Sequence, residues 1–196
     1  MDKETRKKLA DDFVEVLRTT NRDGIEELIS YLQEKTDFFD APASTKYHGA
    51  FAGGLLMHSI NVCAELNLDP NSKLYPPETL IIVALLHDIC KANCYHTEKR
   101  NVKENGAWVE KQIYVFEDEL PLGHGEKSLY LASKFIKLSD EEAAAIRWHM
   151  GAFDCAFRGG DRGLNAAYEK YPLAVLLHMA DMRATYLVER SDDHDR

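Results

Sequence analysis

The chain of 196 residues is 45% hydrophobic and 29% charged, a composition that excludes disorder and fits one domain with its own core. Its formal net charge of −9 excludes broad electrostatic capture of long nucleic acid, which draws on many lysine and arginine contacts to phosphate. Cys63, Cys90, Cys94 and Cys155 lack an even secretory spacing, so reduced, buried thiols are expected; Cys90 and Cys94 also read as half of a zinc site, but no second pair follows.

Apolar residues recur at helical spacing from Leu9 through Phe13, Val16 and Leu17, so the N-terminal segment is an amphipathic helix without the continuous apolar run of a signal peptide or span. A cytoplasmic protein is the expectation. A second helix is expected from about Asp23, with Glu26 completing an Asp-x-x-Glu cap, to about Lys35. Residues 36 to 48 lack a period and read as a loop, after which GGLLMHSINVCAEL forms a helix ended by Asp69-Pro70. Pro76 and Pro77 open the next helix, and its almost continuously apolar run ETLIIVALLHDICKA marks it as central and buried.

The pattern then switches to alternating aromatic and β-branched residues around Asn105-Gly106, the signature of a two-residue β-hairpin. Helical patterning returns from Glu126 to about Lys137. Ser139 with Glu142 forms a capping box for a helix reaching His149, which Gly151 stops. The loop RGGDRG leads to a last long helix from near Pro172, and the polar tail, residues 190 to 196, is expected to fray. The fold reads as all-α in the broad sense, mainly α with one small hairpin, in a single domain spanning 1–196 whose first 36 residues are N-terminal helices.

A histidine followed at once by an aspartate, His87-Asp88, lies in the most apolar run of the chain. A buried ionised carboxylate without a partner costs several kcal/mol, so either a divalent cation or a hydrogen-bonded arginine is expected beside Asp88. His58, His124, His149 and Asp181 stand in separate segments with apolar or glycine context. Together these six would form a mixed imidazole and carboxylate set suited to manganese, iron, cobalt, nickel or zinc rather than to magnesium or calcium alone.

The ordered set His58 in GGLLMHS, His87-Asp88 in LLHDICK and Asp181 in HMADMRA resembles the HD superfamily of metal-dependent phosphohydrolases. Of its members, the HD domain of bacterial exoribonucleases is the most similar, through STKYHGAFAGGLLMHS and the later Gly-His step at His124. The likeness spans residues 40–184, which it marks as the HD core, a helical bundle. It implies one or two divalent transition metal ions, with His124 and His149 as the additional ligands of a two-metal branch. Two positions depart from the pattern: Cys90 replaces a common glycine, and Trp148-His149 stands where relatives carry a histidine doublet.

That resemblance implies phosphate-ester hydrolysis by a metal-activated water, since a bound ion lowers the pKa of water from about 15.7 towards 7; the acidic balance then favours a nucleotide or short oligonucleotide over a long strand. Asp88 and Lys91 are the expected catalytic residues, Asp88 as a bridge between two ions. Lys91, Lys127, His48 and Trp148 are expected to bind substrate: Lys91 from the face of His87, Lys127 from a helix N-terminus, His48 from the loop before its helix, and Trp148 by stacking on a base. A surface role for Lys91 and a structural one for His48 are the alternatives. Trp108 and Tyr114 on the hairpin are further stacking candidates, and the hairpin a candidate lid. Arg147 and Arg183 are weighted lower, His178 is read as a core residue, and His96 and His194 as surface residues. The expected partner is a small phosphorylated molecule, with no membrane and no long nucleic acid. Competing readings are a cyclic-nucleotide or cyclic-dinucleotide phosphodiesterase, a non-catalytic nucleotide-binding regulatory module, and a helical interaction protein.

Overall fold

The computed structural model describes residues 1–104 and 106–190, Glu104 by its backbone. The turn residue Asn105, the tail from residue 191 onward and His194 lie outside the described residues. Among the described residues the chain forms nine α-helices and one hairpin: α1 (Lys3–Arg18), α2 (Ile25–Glu34), α3 (Gly54–Leu68), α4 (Pro77–Leu86), β1 (Tyr95–Glu104), β2 (Ala107–Phe116), α5 (His124–Ser133), α6 (Asp140–Trp148), α7 (Cys155–Arg158), α8 (Gly163–Lys170) and α9 (Pro172–Arg183). The mainly α reading therefore holds. Among the described residues no helix is long and apolar enough to cross a membrane.

Two hydrophobic clusters share α3 and α4. One gathers Phe13, Leu17, Leu28, Leu32, Phe38 and Leu55 from the N-terminal half, joined by Leu85 and Leu86 of α4. The other joins Val62, Leu66 and Val83 to Ile146, Leu173 and Leu177 of α6 and α9. Helix α4 lies between them and buries Leu80, Ile82, Val83, Ala84, Leu85 and Leu86, which is why its sequence is apolar all round rather than striped. Each such leucine contributes about 1.5–3 kcal/mol by leaving water.

Several expected details are corrected. In α1 the third buried residue is Val14, not Val16, which is 39% exposed. Helix α2 has no Asp23 cap: Gly24 precedes it at φ 84, and Glu26 pairs with Arg18 instead. A Cβ at Gly24 would lie 1.9 Å from the Phe135 carbonyl oxygen, so close packing against the end of the α5 region, not capping, sets this turn. The segment between Gly151 and Pro172 holds two short helices, α7 and α8, that the glycine-rich reading missed. Cys155 is exposed, whereas Cys90 and Cys94 are buried and Cys63 half-buried; all four are free thiols.

The capping box formed by Ser139 and Glu142 is present. The hairpin is antiparallel, in register from Tyr95 opposite Phe116 to Glu104 opposite Ala107. Its base is held by the Tyr95 hydroxyl donating to the Ala43 carbonyl and by the Tyr95–Phe116 ring pair, while Trp108 near its tip is 71% exposed.

Candidate metal centre

The run containing His87-Asp88 is not one helix. Helix α4 stops at Leu86, His87 is its C-cap, Asp88 leaves α geometry at φ −109 and ψ 16, and Ile89–Lys91 forms a 3-10 turn. Leaving the helix matters because side chains of adjacent α positions diverge by about 100°, and the turn relieves that divergence. His58 comes from the second turn of α3, His124 is the first residue of α5, His149 caps α6 at its C-terminal end, and Asp181 sits on α9. Gly125 allows α5 to approach α6: a Cβ there would lie 2.1 Å from the Arg147 carbonyl oxygen. That contact brings His124 and His149 to a ring-centroid distance of 5.2 Å.

Asp88 lies at the centre, 2% exposed. Its Oδ2 is 3.5 Å from Nε2 of both His58 and His87 and 2.6 Å from Lys91 Nζ. Its Oδ1 is 2.6 Å from His124 Nε2 and 3.5 Å from His149 Nε2. Asp181 Oδ1 closes one side at 3.3 Å from His58 Nε2. All six residues expected from the sequence as ligands thus converge, and the two oxygens of Asp88 face different imidazole pairs.

The tautomers follow from the partners, because a carbonyl oxygen can only accept. His87 Nδ1–H donates to the Ala84 carbonyl at 2.8 Å, and His149 Nδ1–H to the Ile146 carbonyl at 2.7 Å. His58 Nδ1–H donates to the carboxylate of Glu189 at 3.1 Å. Each ring therefore turns Nε2 toward the cluster. His149 Nε2 is buried with no hydrogen-bond partner, and His58 and His87 face each other Nε2 to Nε2 at 3.3 Å. Two imidazole nitrogens at that distance need a proton or a metal ion between them.

The electrostatics agree. Burial pushes His58 down, but Asp181 and Glu189 outweigh it and raise its pKa from 6.5 to about 9. Burial takes neighbouring His87 down to about 4 against the opposing pull of Asp88. Burial works to raise Asp88, yet Lys91, His87 and His124 hold it well below the usual carboxylate range. The raised His58 and lowered His87 fit one positive charge held between their facing nitrogens, and the unpartnered His149 Nε2 adds a further donor atom of fixed tautomer, an arrangement that suits a divalent ion. The residues present fit one.

A family model for the HD domain matches residues 56–185. The chain belongs to this family. HD domains are typically metal-dependent hydrolases and imply a divalent ion, which the buried group His58, His87 and Asp88 fits. Comparison with curated proteins and with solved structures found no match.

The HD cluster floors a cavity of about 380 Å³ that Lys91, Arg158, His178 and Met150 also line. It shares His48, Thr185 and Tyr186 with an adjoining cavity of about 550 Å³ that ends at Tyr47 and Arg190. His48 is therefore at the cleft, its ring 5.1 Å from that of His58, and burial followed by the Lys91 charge takes its pKa down to about 4. None of the lining residues comes from the hairpin, so Trp108 and Tyr114 stand outside the cleft.

Two expected substrate residues are corrected. Lys127 is buried, and its ammonium is taken up by Asp118 and by Cys94 Sγ at 3.2 Å; the helix N-terminus points a different group at the cleft, His124 itself. Trp148 packs with Leu164 and Ala167, and the Arg147 guanidinium lies 3.9 Å from its ring centroid, so no face is open to a base. Arg147 and Arg183 pair with Asp154 and Glu65. His178, read as core, lines the cleft with its Nδ1–H donating to the His149 carbonyl at 2.6 Å. The sequence reading missed Arg158, in the glycine-rich loop, and Glu189, at the end of the last helical run. An arginine beside a glycine pair and an asparagine one turn after His58 were the available signals.

Proposed function

We propose that this HD protein is a metal-dependent phosphohydrolase acting on a nucleotide or a short oligonucleotide. The observation that carries the reading is the convergence of buried Nε2 lone pairs on Asp88 at the floor of an open cleft. His58, His87 and Asp181 with Asp88 Oδ2 would hold one ion, and His124 and His149 with Asp88 Oδ1 a second. When bound, a divalent transition ion supplies Lewis acidity and water activation at neutral pH; the histidine-rich set suits manganese, iron, cobalt, nickel or zinc.

The chain's own groups do the positioning. Lys91 neutralises Asp88 Oδ2 and keeps a cation at the cleft wall. Arg158 faces the same cleft with no carboxylate partner among the described residues, so its planar donors suit a substrate phosphate. Tyr47 and Tyr186, 61% and 56% exposed, stand at the far cavity, where aromatic rings suit a nucleobase. The acidic balance disfavours long strands, and the segment STKYHGAFAGGLLMHS resembles that of exoribonuclease HD domains, which favours short oligonucleotides.

The test is phosphate or nucleoside release from a panel of nucleotides and dinucleotides under each candidate ion. His87→Ala and Asp88→Ala are expected to reduce it to background while the circular dichroism of the folded chain persists. Turnover surviving both substitutions refutes the reading, and tight nucleotide binding without turnover assigns the cleft to regulation instead.

A further inference from the structure

Four imidazoles turn Nε2 toward Asp88; His124 has Cys90 Sγ at 3.5 Å from its Nδ1, and the other three donate from Nδ1 to an oxygen in two different ways. His87 and His149 use the helix carbonyl three residues back, at 2.8 and 2.7 Å. That acceptor belongs to the helix and would survive any side-chain substitution. His58 instead donates from Nδ1 to both carboxylate oxygens of Glu189, each at 3.1 Å. The same carboxylate accepts from Asn61 Nδ2 at 2.9 Å, and Asn61 follows His58 by one helical turn, on the same face of α3. Glu189 lies 131 residues away in sequence from His58, with its side chain only 7% exposed.

The backbone leading to Glu189 is built for this reach. Helix α9 ends at Arg183 and widens into a π-helical segment, Ala184–Val188, closed by the Glu189 N–H donating to the Ala184 carbonyl at 2.9 Å. A π turn offsets the residues after it from α register, and such turns are frequent at functional sites. It costs α hydrogen bonding at the end of a helix already anchored by Leu173 and Leu177. In return it brings one carboxylate over the far nitrogen of His58, on the side away from Asp88.

We propose that Glu189 is a positioning residue for the metal centre: it fixes the tautomer and ring plane of His58 and strengthens His58 as a donor. A carboxylate acceptor raises the basicity of the opposite ring nitrogen more than a neutral carbonyl does, and among these imidazoles His58 is the one with a carboxylate behind its Nδ1. Asn61 holds the carboxylate in place. The inference rests on the cluster being a metal site, and its test separates the two.

The experiment compares wild type with Glu189→Ala and Glu189→Gln by two readouts. Competition with a coloured chelator gives the affinity and stoichiometry for manganese and for zinc. Nitrogen-resolved proton spectra of the metal-free proteins report the His58 Nδ1–H, expected as a slowly exchanging signal. Glu189→Ala is expected to weaken metal binding about 10- to 100-fold at unchanged stoichiometry and to lose the His58 signal, with the His87 and His149 signals unmoved. Glu189→Gln, which keeps an acceptor but no charge, should retain the signal and recover part of the affinity. Unchanged affinity and signal in Glu189→Ala overturn the inference while leaving the metal centre intact. Loss of a whole metal equivalent also overturns it, making Glu189 a ligand. A wild-type chain that binds no metal overturns the metal reading itself, whatever the spectra show.

Discussion

Two of the buried charged clusters among the described residues, one around Glu142 and one around Asp88, differ in how completely they are satisfied. In the first, Glu142 is fully buried and every lone pair has a donor: Arg22 donates to both oxygens, Thr79 to Oε1 at 2.9 Å and the Ser139 N–H to Oε2 at 2.8 Å. It fastens the α1–α2 turn to α6, and with its charges balanced it asks for no ligand. In the second, around Asp88, one imidazole nitrogen has no partner and two face each other. Equal burial with unequal satisfaction separates a structural network from a site, because an unsatisfied buried polar atom costs about 1–3 kcal/mol unless a ligand completes it.

That contrast can be broken from either side. The largest stability effect is expected at the satisfied cluster: Glu142→Ala strands the Arg22 guanidinium and should cost about 3 kcal/mol, read as a lower urea midpoint at unchanged slope. Metal affinity of the folded variant should stay at the wild-type value. A fall in affinity would show that the two clusters are coupled and weaken the distinction.

Metal removal acts on the other cluster. An ion held at 100 times its dissociation constant stabilises the folded state by about 2.7 kcal/mol, so chelation should lower the melting temperature by about 5–10 °C for a chain of this size. Glu142→Ala should show the same drop from its lower starting point, whereas His87→Ala should show little or none. Equal drops in wild type and His87→Ala would place the metal elsewhere.

The smallest effect concerns Lys127, whose charge is spent on Asp118. Lys127→Met should cost about 1 kcal/mol and leave KM for any phosphorylated substrate unchanged, while Arg158→Ala should raise KM at nearly unchanged stability. A KM effect at Lys127 equal to that at Arg158 would restore the lysine to the cleft.

From the sequence alone came the mainly α architecture, the hairpin, the Ser139 capping box and the six histidines and aspartates that meet at Asp88. These were legible because each carries a local mark: a period, a cap, a turn dipeptide, or a polar pair where an apolar run makes it costly. What the tertiary structure decided was direction. The turn out of α4 at Asp88, the close approach at Gly125 and the π segment before Glu189 determine which atoms face one another across elements far apart in sequence. Lys127 and Trp148 looked suited to substrate by residue type and neighbourhood, yet Asp118 and Leu164 claimed them. Arg158 and Glu189 carried no local mark, yet one faces the cleft and the other accepts from His58 Nδ1. Periodicity records how much of a helix is buried, but the partner of a buried charge is fixed only when the helices pack.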